Sequence, residues 1–119
     1  MNLGAAGEKA AAKYLRRRGY RIVARNYRCR GGEIDLIALD ADTIVFVEVK
    51  TRREDLAADP EVNVAYHKQK RITRAARYYL MEKGAQDRPG RFDVVAVVWP
   101  EAGKPSVEHF IDAFGPTPR

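Results

Sequence analysis

Two carboxylates in the sequence, Asp35 and Glu48, have the type and spacing to hold a metal ion. They belong to two apolar, β-branched segments, residues 33–39 and 43–51, whose short separation predicts a β-hairpin. With a two-residue loop, the register places Asp35 opposite Glu48, with Cβ atoms about 4.5–5.5 Å apart. Carboxylates that close repel each other unless a proton or a cation lies between them. An Ala-Asp loop is a poor two-residue turn, however, and a longer loop would shift this register.

Lys50 adds a positive charge beside this predicted acid pair, because alternation places it on the same strand face as Glu48. Carboxylate oxygens are the ligands that Mg²⁺ and Mn²⁺ prefer. A bound metal polarises a phosphate and lowers the pKa of its water, and a lysine offsets the charge that develops. The pattern therefore predicts phosphodiester hydrolysis with Mg²⁺ or Mn²⁺ as cofactor. The alternative is a solvated acidic hairpin, since charged pairs spaced two apart are common on exposed strand faces.

The strand that carries Glu48 is apolar on both faces, which predicts that other elements cover both sides. A charge on such a strand is costly unless it is paired or bound to a metal. On the preceding strand, alternation places Ile34 on the face of Leu36 and Ala38, opposite to the face of Asp35. The acid pair is thus expected on one defined face of the sheet.

Helical periodicity and turn residues organise the remaining sequence into one α/β domain over residues 1–119, with a frayed tail at 115–119. The order α-β-β-β-α-β-β predicts a mixed central sheet flanked by helices. Besides the hairpin, the predicted elements are a helix before Gly19, a strand over 20–28, a long helix from Asp59-Pro60 to about Lys83 with an unplaced break near His67, a strand over 91–99, and a weaker edge strand over 107–110.

Composition excludes several classes of protein. The chain has 119 residues, 45% of them hydrophobic and 32% charged, which fits neither a disordered chain nor a membrane protein. No apolar run approaches the roughly 18–20 residues that a membrane span needs. Cys29 is the single cysteine, so an internal disulfide or a cysteine-based zinc site is excluded. A cytoplasmic location is the expectation.

Charge is unevenly distributed along the chain. Residues 1–30 carry nine basic residues and one acid, residues 31–65 carry nine acids and three bases, and residues 66–83 carry six bases and one acid. An acidic middle therefore separates two basic blocks, and basic blocks favour phosphate partners. The arginines expected to hold nucleic-acid phosphates are Arg16, Arg17, Arg18, Arg52, Arg53, Arg71 and Arg74.

The second helix is expected to be amphipathic. Lys70, Arg71 and Arg74 share one face at 100° per residue, and an apolar face with Ile72 packs on the sheet. Gln69 falls at the edge of the packing face, where a polar group needs a partner. The other polar candidates are interpreted as structural: His67 and His109 lack ligand spacing, Cys29 lacks an activating base, and Asp93 is expected to form local hydrogen bonds.

The strand motifs resemble those of a known family. The runs are Gly32-Glu33-Ile34-Asp35-Leu36-Ile37-Ala38 and Val45-Phe46-Val47-Glu48-Val49-Lys50-Thr51-Arg52, supported by Gly7-Glu8, Lys68-Gln69 and Arg91-Phe92-Asp93-Val94. They resemble the YraN-like family of bacterial proteins, over nearly the whole chain. That family is similar to the restriction-endonuclease-like superfamily and, within it, to archaeal Holliday-junction resolvases.

This resemblance implies a restriction-endonuclease-like core and a site assigned residue by residue. Asp35, Glu48 and the backbone carbonyl of Val49 would be metal ligands, and Lys50 the catalytic lysine. Glu8 would match an acid that resolvase-like relatives bring from the first helix. Gln69 would match a site-lining glutamine on the second helix, and the relatives act as dimers, which makes a homodimer an expectation. Ile34 stands where the superfamily has a proline.

The sequence predicts two candidate functions. The first is a Mg²⁺/Mn²⁺-dependent endonuclease acting on DNA, including branched or otherwise structured DNA. The second is a nucleic-acid-binding or adaptor protein that keeps the nuclease fold without turnover, because the basic blocks alone suffice for binding.

Overall fold

Periodicity along the chain predicts the order of the elements correctly. The computed structural model describes residues 2–56 and 63–118. Within these ranges the elements are helix α1 (Leu3–Arg17), strands β1 (Arg21–Cys29), β2 (Gly32–Asp40) and β3 (Thr43–Arg53), a short 3₁₀ helix (Glu54–Leu56), helix α2 (Tyr66–Glu82), and strands β4 (Gly90–Trp99) and β5 (Ser106–Phe114). The strand β5 is longer than the weak strand predicted at 107–110.

The strands form one mixed sheet in the order β1-β2-β3-β4-β5. Neighbouring strands are antiparallel except for β3 and β4, which are parallel. A parallel pair requires a crossover connection, and α2 lies between these two strands in the sequence. The predicted α/β class with a mixed sheet is therefore confirmed.

Helices cover both faces of the sheet, as the apolar character of β3 predicts. On the α1 face, Leu15 packs with Leu36, Ala38, Val45 and Val47. On the α2 face the buried set is larger and consists of Ile34, Ile37, Ile44, Phe46, Val64, Ile72, Ala75, Ala76, Tyr79, Ala85, Phe92 and Val94. Neither helix is long and apolar enough to cross a bilayer, and no other helix within the described ranges is.

The β2–β3 hairpin has the predicted register. Ile37 pairs with Phe46, Leu39 with Ile44 and Asp40 with Thr43. The loop is the two-residue Ala41-Asp42, in which Ala41 has φ 52°. This left-handed backbone is unfavourable for alanine. Apolar residues on both faces nevertheless fix the register, since a one-residue slip would turn every side chain to the wrong side.

The predicted face of Ile34 is wrong. Ile34 packs in the α2-side cluster, whereas Leu36 and Ala38 pack against α1. The change of face coincides with an irregularity in the adjoining strand. Asn26 falls between the pairs that β1 and β2 form on either side of Asp35, and its φ is 49°. A left-handed residue interrupts the pleat, so strict alternation of side chains fails there.

The break predicted near His67 corresponds to the start of α2. Residues 63–65 are not helical and α2 begins at Tyr66, while the predicted start at Asp59-Pro60 lies outside the described residues. The N-cap residue, Ala65, makes no side-chain capping hydrogen bond, so the sequence carries no start signal at this point. The packing face is as predicted, with Ile72 buried and Arg71 exposed.

The end of the chain was predicted to be frayed. Within that segment Thr117 is buried, and its N–H donates to Thr73 Oγ1 at 3.2 Å. The guanidinium of Arg77 donates to the Thr117 carbonyl at 3.1 Å. These two bonds attach the segment at Thr117 to α2.

Candidate active site

Asp35 and Glu48 lie together just beyond the end of the β2–β3 ladder. The last described pair of the ladder is Leu36 with Val47, and one further step in this register places Asp35 opposite Glu48. The carboxyl groups of Asp35 and Glu48 are close enough for hydrogen bonding between them to raise the pKa of Glu48. The Glu48 side chain is only 5% exposed, so the alternative of a solvated acidic hairpin does not describe this residue.

A proton on Glu48 accounts for the stability of this contact. Burial raises the pKa of Glu48, as do the hydrogen bond to Asp35 and the negative charge of Asp35. The positive charge of Lys68 opposes these effects, and the resulting pKa is about 8. Without a bound cation, the pair therefore shares a proton at neutral pH, which is one of the two ways to relieve repulsion between close carboxylates.

Lys68, on the first turn of α2, is the lysine that contacts the acid pair. Its Nζ lies 2.8 Å from Glu48 Oε2. Among the described residues, that oxygen accepts no well-aligned hydrogen bond. Burial by itself lowers the pKa of Lys68, but the contact with Glu48 raises it above its ordinary value. The position beside two carboxylates that suits a cation is thus held by an ammonium group.

The sequence assigned this position to Lys50, and the structure corrects the contact. The Lys50 Nζ donates to the backbone carbonyl of Asn63, in the segment that precedes α2. The family motif Lys68-Gln69 contains this lysine but gives it no role. Lys68 precedes Ile72 by four residues, which places both on the same side of α2, but this spacing does not show which residue of the sheet Lys68 contacts.

The backbone carbonyl of Val49 has the orientation that a third oxygen ligand requires. Its N–H donates to Asp35 Oδ2 at 2.8 Å, so the Asp35 side chain takes the place of a backbone acceptor from β2. In an extended strand the N–H and C=O of one residue point to the same edge. The Val49 carbonyl therefore faces the edge of β3 on which Asp35 lies.

Helix α1 brings Glu8 close enough for the negative charge of Asp35 to affect the pKa of Glu8. Burial raises the pKa of Glu8, and the negative charges of Asp35 and Glu33 raise it further. Among the described residues, no group hydrogen-bonds to the buried Glu8 Oε1. Close approach of α1 to the sheet positions it, because a Cβ on the neighbouring Gly7 would overlap the side chain of Thr51.

Gln69 is turned to a different partner. Its Nε2 donates to the Val64 carbonyl at 2.8 Å, which ties the first turn of α2 to the segment before it. This satisfies the polar group that the sequence placed at the edge of the packing face. The amide nitrogen thus supports α2 locally, and Gln69 does not belong to the residues that line the cavity beside Glu48.

The acid pair borders a small cavity of about 40 Å³, which holds a water-sized group or a bare cation. Its lining residues are Glu33, Asp35, Glu48, Lys68, Arg71 and Ile72. Within residues 2–56 and 63–118, no group of three or more His, Cys, Asp or Glu side chains is arranged to hold a metal. The available donors are two carboxylates and a carbonyl. This set fits Mg²⁺ or Mn²⁺, which commonly use few protein ligands and complete their shell with water and phosphate.

Arginines lie in grooves on both sides of the cavity. Arg16 and Arg25 line a groove of about 390 Å³ that also contains Glu8. Arg28 and Arg30 line another, of about 290 Å³, which shares Glu33 and Arg71 with the cavity. Arg25, Arg28 and Arg30 were not identified from the sequence, because a β1 strand alone does not show which edge faces the acids.

The remaining predicted arginines are dispersed. Arg74 packs beside Gly31 at the β1–β2 turn. Arg18 lies over the Tyr14 ring at 4.7 Å, and Arg53 pairs with Asp55 at 3.5 Å. Arg17 borders a groove between α1 and β5, and Arg52 is half-buried on β3 opposite Val98 of β4. The predicted set is therefore not one continuous patch.

These features define a class: an α/β protein whose mixed sheet brings a buried Glu48 and a half-buried Asp35 together at the end of a β-hairpin, between two arginine-lined grooves. Residues 7–97 match the profile of the uncharacterised protein family UPF0102, and the chain belongs to that family. The predicted resemblance to the YraN-like family is thereby confirmed.

Relatives match most of the chain. A UPF0102 protein of Geotalea uraniireducens is 49% identical over 113 residues, which cover 95% of this chain and 89% of the relative. A UPF0102 protein of Symbiobacterium thermophilum is 54% identical over 95 residues, 80% of each chain. A third, from Nocardia farcinica, is 47% identical over 112 residues, 94% of this chain and 88% of the relative.

Proposed function

We propose that this protein is a Mg²⁺- or Mn²⁺-dependent endonuclease that hydrolyses phosphodiester bonds in DNA, including branched or structured DNA. The observation that carries the proposal is the contact between the buried Glu48 and the half-buried Asp35. Two carboxylates share one proton beside a cation-sized cavity, and an ammonium already lies at 2.8 Å from one of them. A site that must be neutralised by a proton and a lysine is well suited to a divalent cation.

Asp35, Glu48 and the Val49 carbonyl would hold the ion. Once bound, it would polarise the phosphodiester and activate water for attack. Asp35 also fixes the Val49 backbone through its hydrogen bond, so the ligands are positioned before any ion arrives. Lys68 and Lys50 extend from α2 and β3 near this site, and either ammonium is suited to the negative charge that develops on a phosphate.

The proposed fold within the α/β class is restriction-endonuclease-like. Support comes from the order α-β-β-β-α-β, the antiparallel β1-β2-β3 meander and the parallel β3–β4 pair. The substrate would lie over the cavity, with its phosphates on Arg16 and Arg25 to one side and Arg71 to the other. A homodimer remains a prediction that would suit a symmetric four-way junction.

One observation favours a second candidate, a nucleic-acid-binding adaptor without turnover. The shared proton and Lys68 neutralise the acid pair without any metal. A binding protein needs the arginine-lined grooves but no bound cation. Metal dependence therefore separates the two candidates.

The decisive experiment measures cleavage of supercoiled plasmid, linear duplex and a four-way junction with Mn²⁺ or Mg²⁺. The expected result is cleavage by the wild type and its loss in Asp35→Asn, Glu48→Gln and Lys50→Ala. The matched control is Asp87→Asn, which changes an exposed acid in the turn after α2 and should keep full activity. A parallel thermal-melting series should show that Mn²⁺ stabilises the wild type and Asp87→Asn but not Asp35→Asn.

Tight DNA binding without cleavage, unchanged by all of these variants, would favour the adaptor. Cleavage that survives in Asp35→Asn would place the active site elsewhere.

A further inference from the structure

A groove outside the acid site combines aromatic and basic groups. It lies between α1 and the β4–β5 end of the sheet and has a volume of about 520 Å³, within the range of ligand-binding clefts. Its walls include the rings of Tyr14 and Trp99, with Pro105 and Val107 beside them. None of the described residues that line it is acidic.

Four basic residues border this aromatic groove. Lys9, Lys13 and Arg17 lie four residues apart on α1, and Lys104 faces them from the β4–β5 connection. Each four-residue step advances about 6 Å along a helix and returns to the same side. The three α1 charges therefore form a row, with a spacing comparable to that of successive phosphates along a nucleic-acid strand.

The aromatic groove adjoins the proposed active site. Lys9 borders both the aromatic groove and the groove that contains Glu8, Arg16 and Arg25. A strand that leaves the acid pair could therefore pass over α1 at Lys9 without leaving basic surface.

We propose that the aromatic groove binds a single-stranded DNA segment that continues from the scissile site. Bases would stack on the half-buried ring of Trp99, and phosphates would lie on Lys9, Lys13 and Lys104. An aromatic ring that lines a groove between basic groups binds single strands because every unpaired base presents a free π-face, whereas a duplex keeps its bases stacked inside. This inference deepens the proposed function, on which it rests, by naming DNA with a single-stranded arm as the substrate class.

The test uses Trp99 itself, the single tryptophan of the chain. Its fluorescence is followed in EDTA while the protein is titrated with an oligothymidylate of about 20 nucleotides, a blunt duplex of the same length, or polyglutamate. The oligothymidylate should quench the emission and bind at least about tenfold more tightly than the duplex. Polyglutamate should leave the emission unchanged.

Variants assign the binding to the groove. The double variant Lys13→Ala/Lys104→Ala should weaken oligothymidylate binding by about tenfold and reduce the slope of log K against log salt by about 1.4, because each phosphate contact on a single strand contributes about 0.7. Lys83→Ala, at the end of α2 on the opposite face of the sheet, is the matched control and should bind like the wild type.

The outcomes separate this inference from the proposed nuclease. Quenching by the oligothymidylate without any cleavage in Mn²⁺ would refute the nuclease and leave the single-strand groove standing. Cleavage without quenching would refute the single-strand groove and leave the proposed nuclease standing. Equal quenching by the duplex, stronger quenching by polyglutamate, or an unchanged salt slope in the double variant would each overturn the inference.

Discussion

Glu48 and Asp93 are carboxylates buried on neighbouring strands of one sheet, and their surroundings are opposite. The ladder places Glu48 beside Val94 and Asp93 beside Val47, so the two residues are one position apart along the paired strands and face opposite sides. Asp93 is fully buried, and Glu48 is 5% exposed. Burial is therefore the same for both, and the difference lies in their partners.

Asp93 has a complete set of donors. Its oxygens accept hydrogen bonds from Arg91 Nε at 3.0 Å, His109 Nε2 at 2.7 Å and the Asp112 N–H at 2.9 Å. Burial alone would raise the pKa of Asp93, but the hydrogen bonds from His109 and Arg91 hold it below the ordinary value of 3.8. This confirms the prediction that Asp93 forms local hydrogen bonds.

Glu48 instead faces another carboxyl, and its pKa moves in the other direction. A buried acid with full hydrogen bonding stabilises a fold, whereas a buried acid beside a second carboxyl is retained at a cost in stability. The difference teaches that burial alone does not identify a functional acid. The raised pKa beside a second carboxyl does, because a cation bound there would relieve the repulsion.

The largest expected effect comes from removing the satisfied carboxylate. Asp93→Ala should lower the free energy of unfolding by about 3–5 kcal/mol, because it leaves the His109 side chain and the half-buried Arg91 guanidinium with one partner fewer. Urea denaturation followed by circular dichroism measures this. Asp87→Ala, which removes an exposed acid, is the control and should change stability by less than about 0.5 kcal/mol. A small loss in Asp93→Ala would show that the hydrogen-bonded cluster is not structural.

The free energy of unfolding should depend on pH in two separate ranges, one due to Asp93 and one due to Glu48. Because the folded pKa of Asp93 is lowered, its contribution is present above pH 3.8 and is lost as the pH falls through the folded pKa. Because the folded pKa of Glu48 is raised from 4.5 to about 8, stability should decline as the pH rises between these values. Urea titrations from acid to mildly alkaline pH measure both slopes. Absence of the upper slope in Glu48→Gln would assign it to Glu48, and its persistence would contradict the comparison.

The sequence predicts those features of the acid pair that depend only on neighbouring residues along the chain. The register that opposes Asp35 and Glu48 follows from local alternation, because apolar residues on both faces allow only one alignment. The burial of β3 follows in the same way. These features require only neighbours along the chain and one hairpin.

The features that were missed depend on contacts between distant elements. Lys68 has the spacing of an ordinary helical surface lysine, and only the position of α2 over the ends of β2 and β3 brings its ammonium to Glu48. The change of face at Ile34 coincides with the left-handed backbone of Asn26 in another strand. The start of α2 has no capping side chain to mark it. Periodicity carries none of these three signals.

A change in stability of intermediate size is expected when Glu48 is replaced. Glu48→Gln removes a charge that burial and Asp35 destabilise more than Lys68 stabilises it, so it should stabilise the metal-free protein by about 1–2 kcal/mol at pH 8. Near pH 5 the gain should vanish, because the wild-type carboxyl is then protonated. Urea denaturation in EDTA at both pH values measures the difference. A loss of stability at pH 8 would mean that the charge of Glu48 is well compensated, as that of Asp93 is.

The smallest effect is expected from the partner of Glu48. Lys68→Met keeps the aliphatic stem and removes the ammonium, which is half exposed and lies 2.8 Å from Glu48 Oε2. Near pH 6 the Glu48 carboxyl is protonated, so stability should change by less than about 1 kcal/mol. Near pH 9 the loss should be larger, because an ionised Glu48 would then lack its cation. The pH at which stability declines should also move upward, since Lys68 lowers the pKa of Glu48 in the wild type. Carbon NMR of the glutamate carboxyls follows that titration directly. A large loss at pH 6 with an unchanged midpoint would show that Glu48 and Lys68 form a fully ionised pair, and the contrast with Asp93 would then disappear.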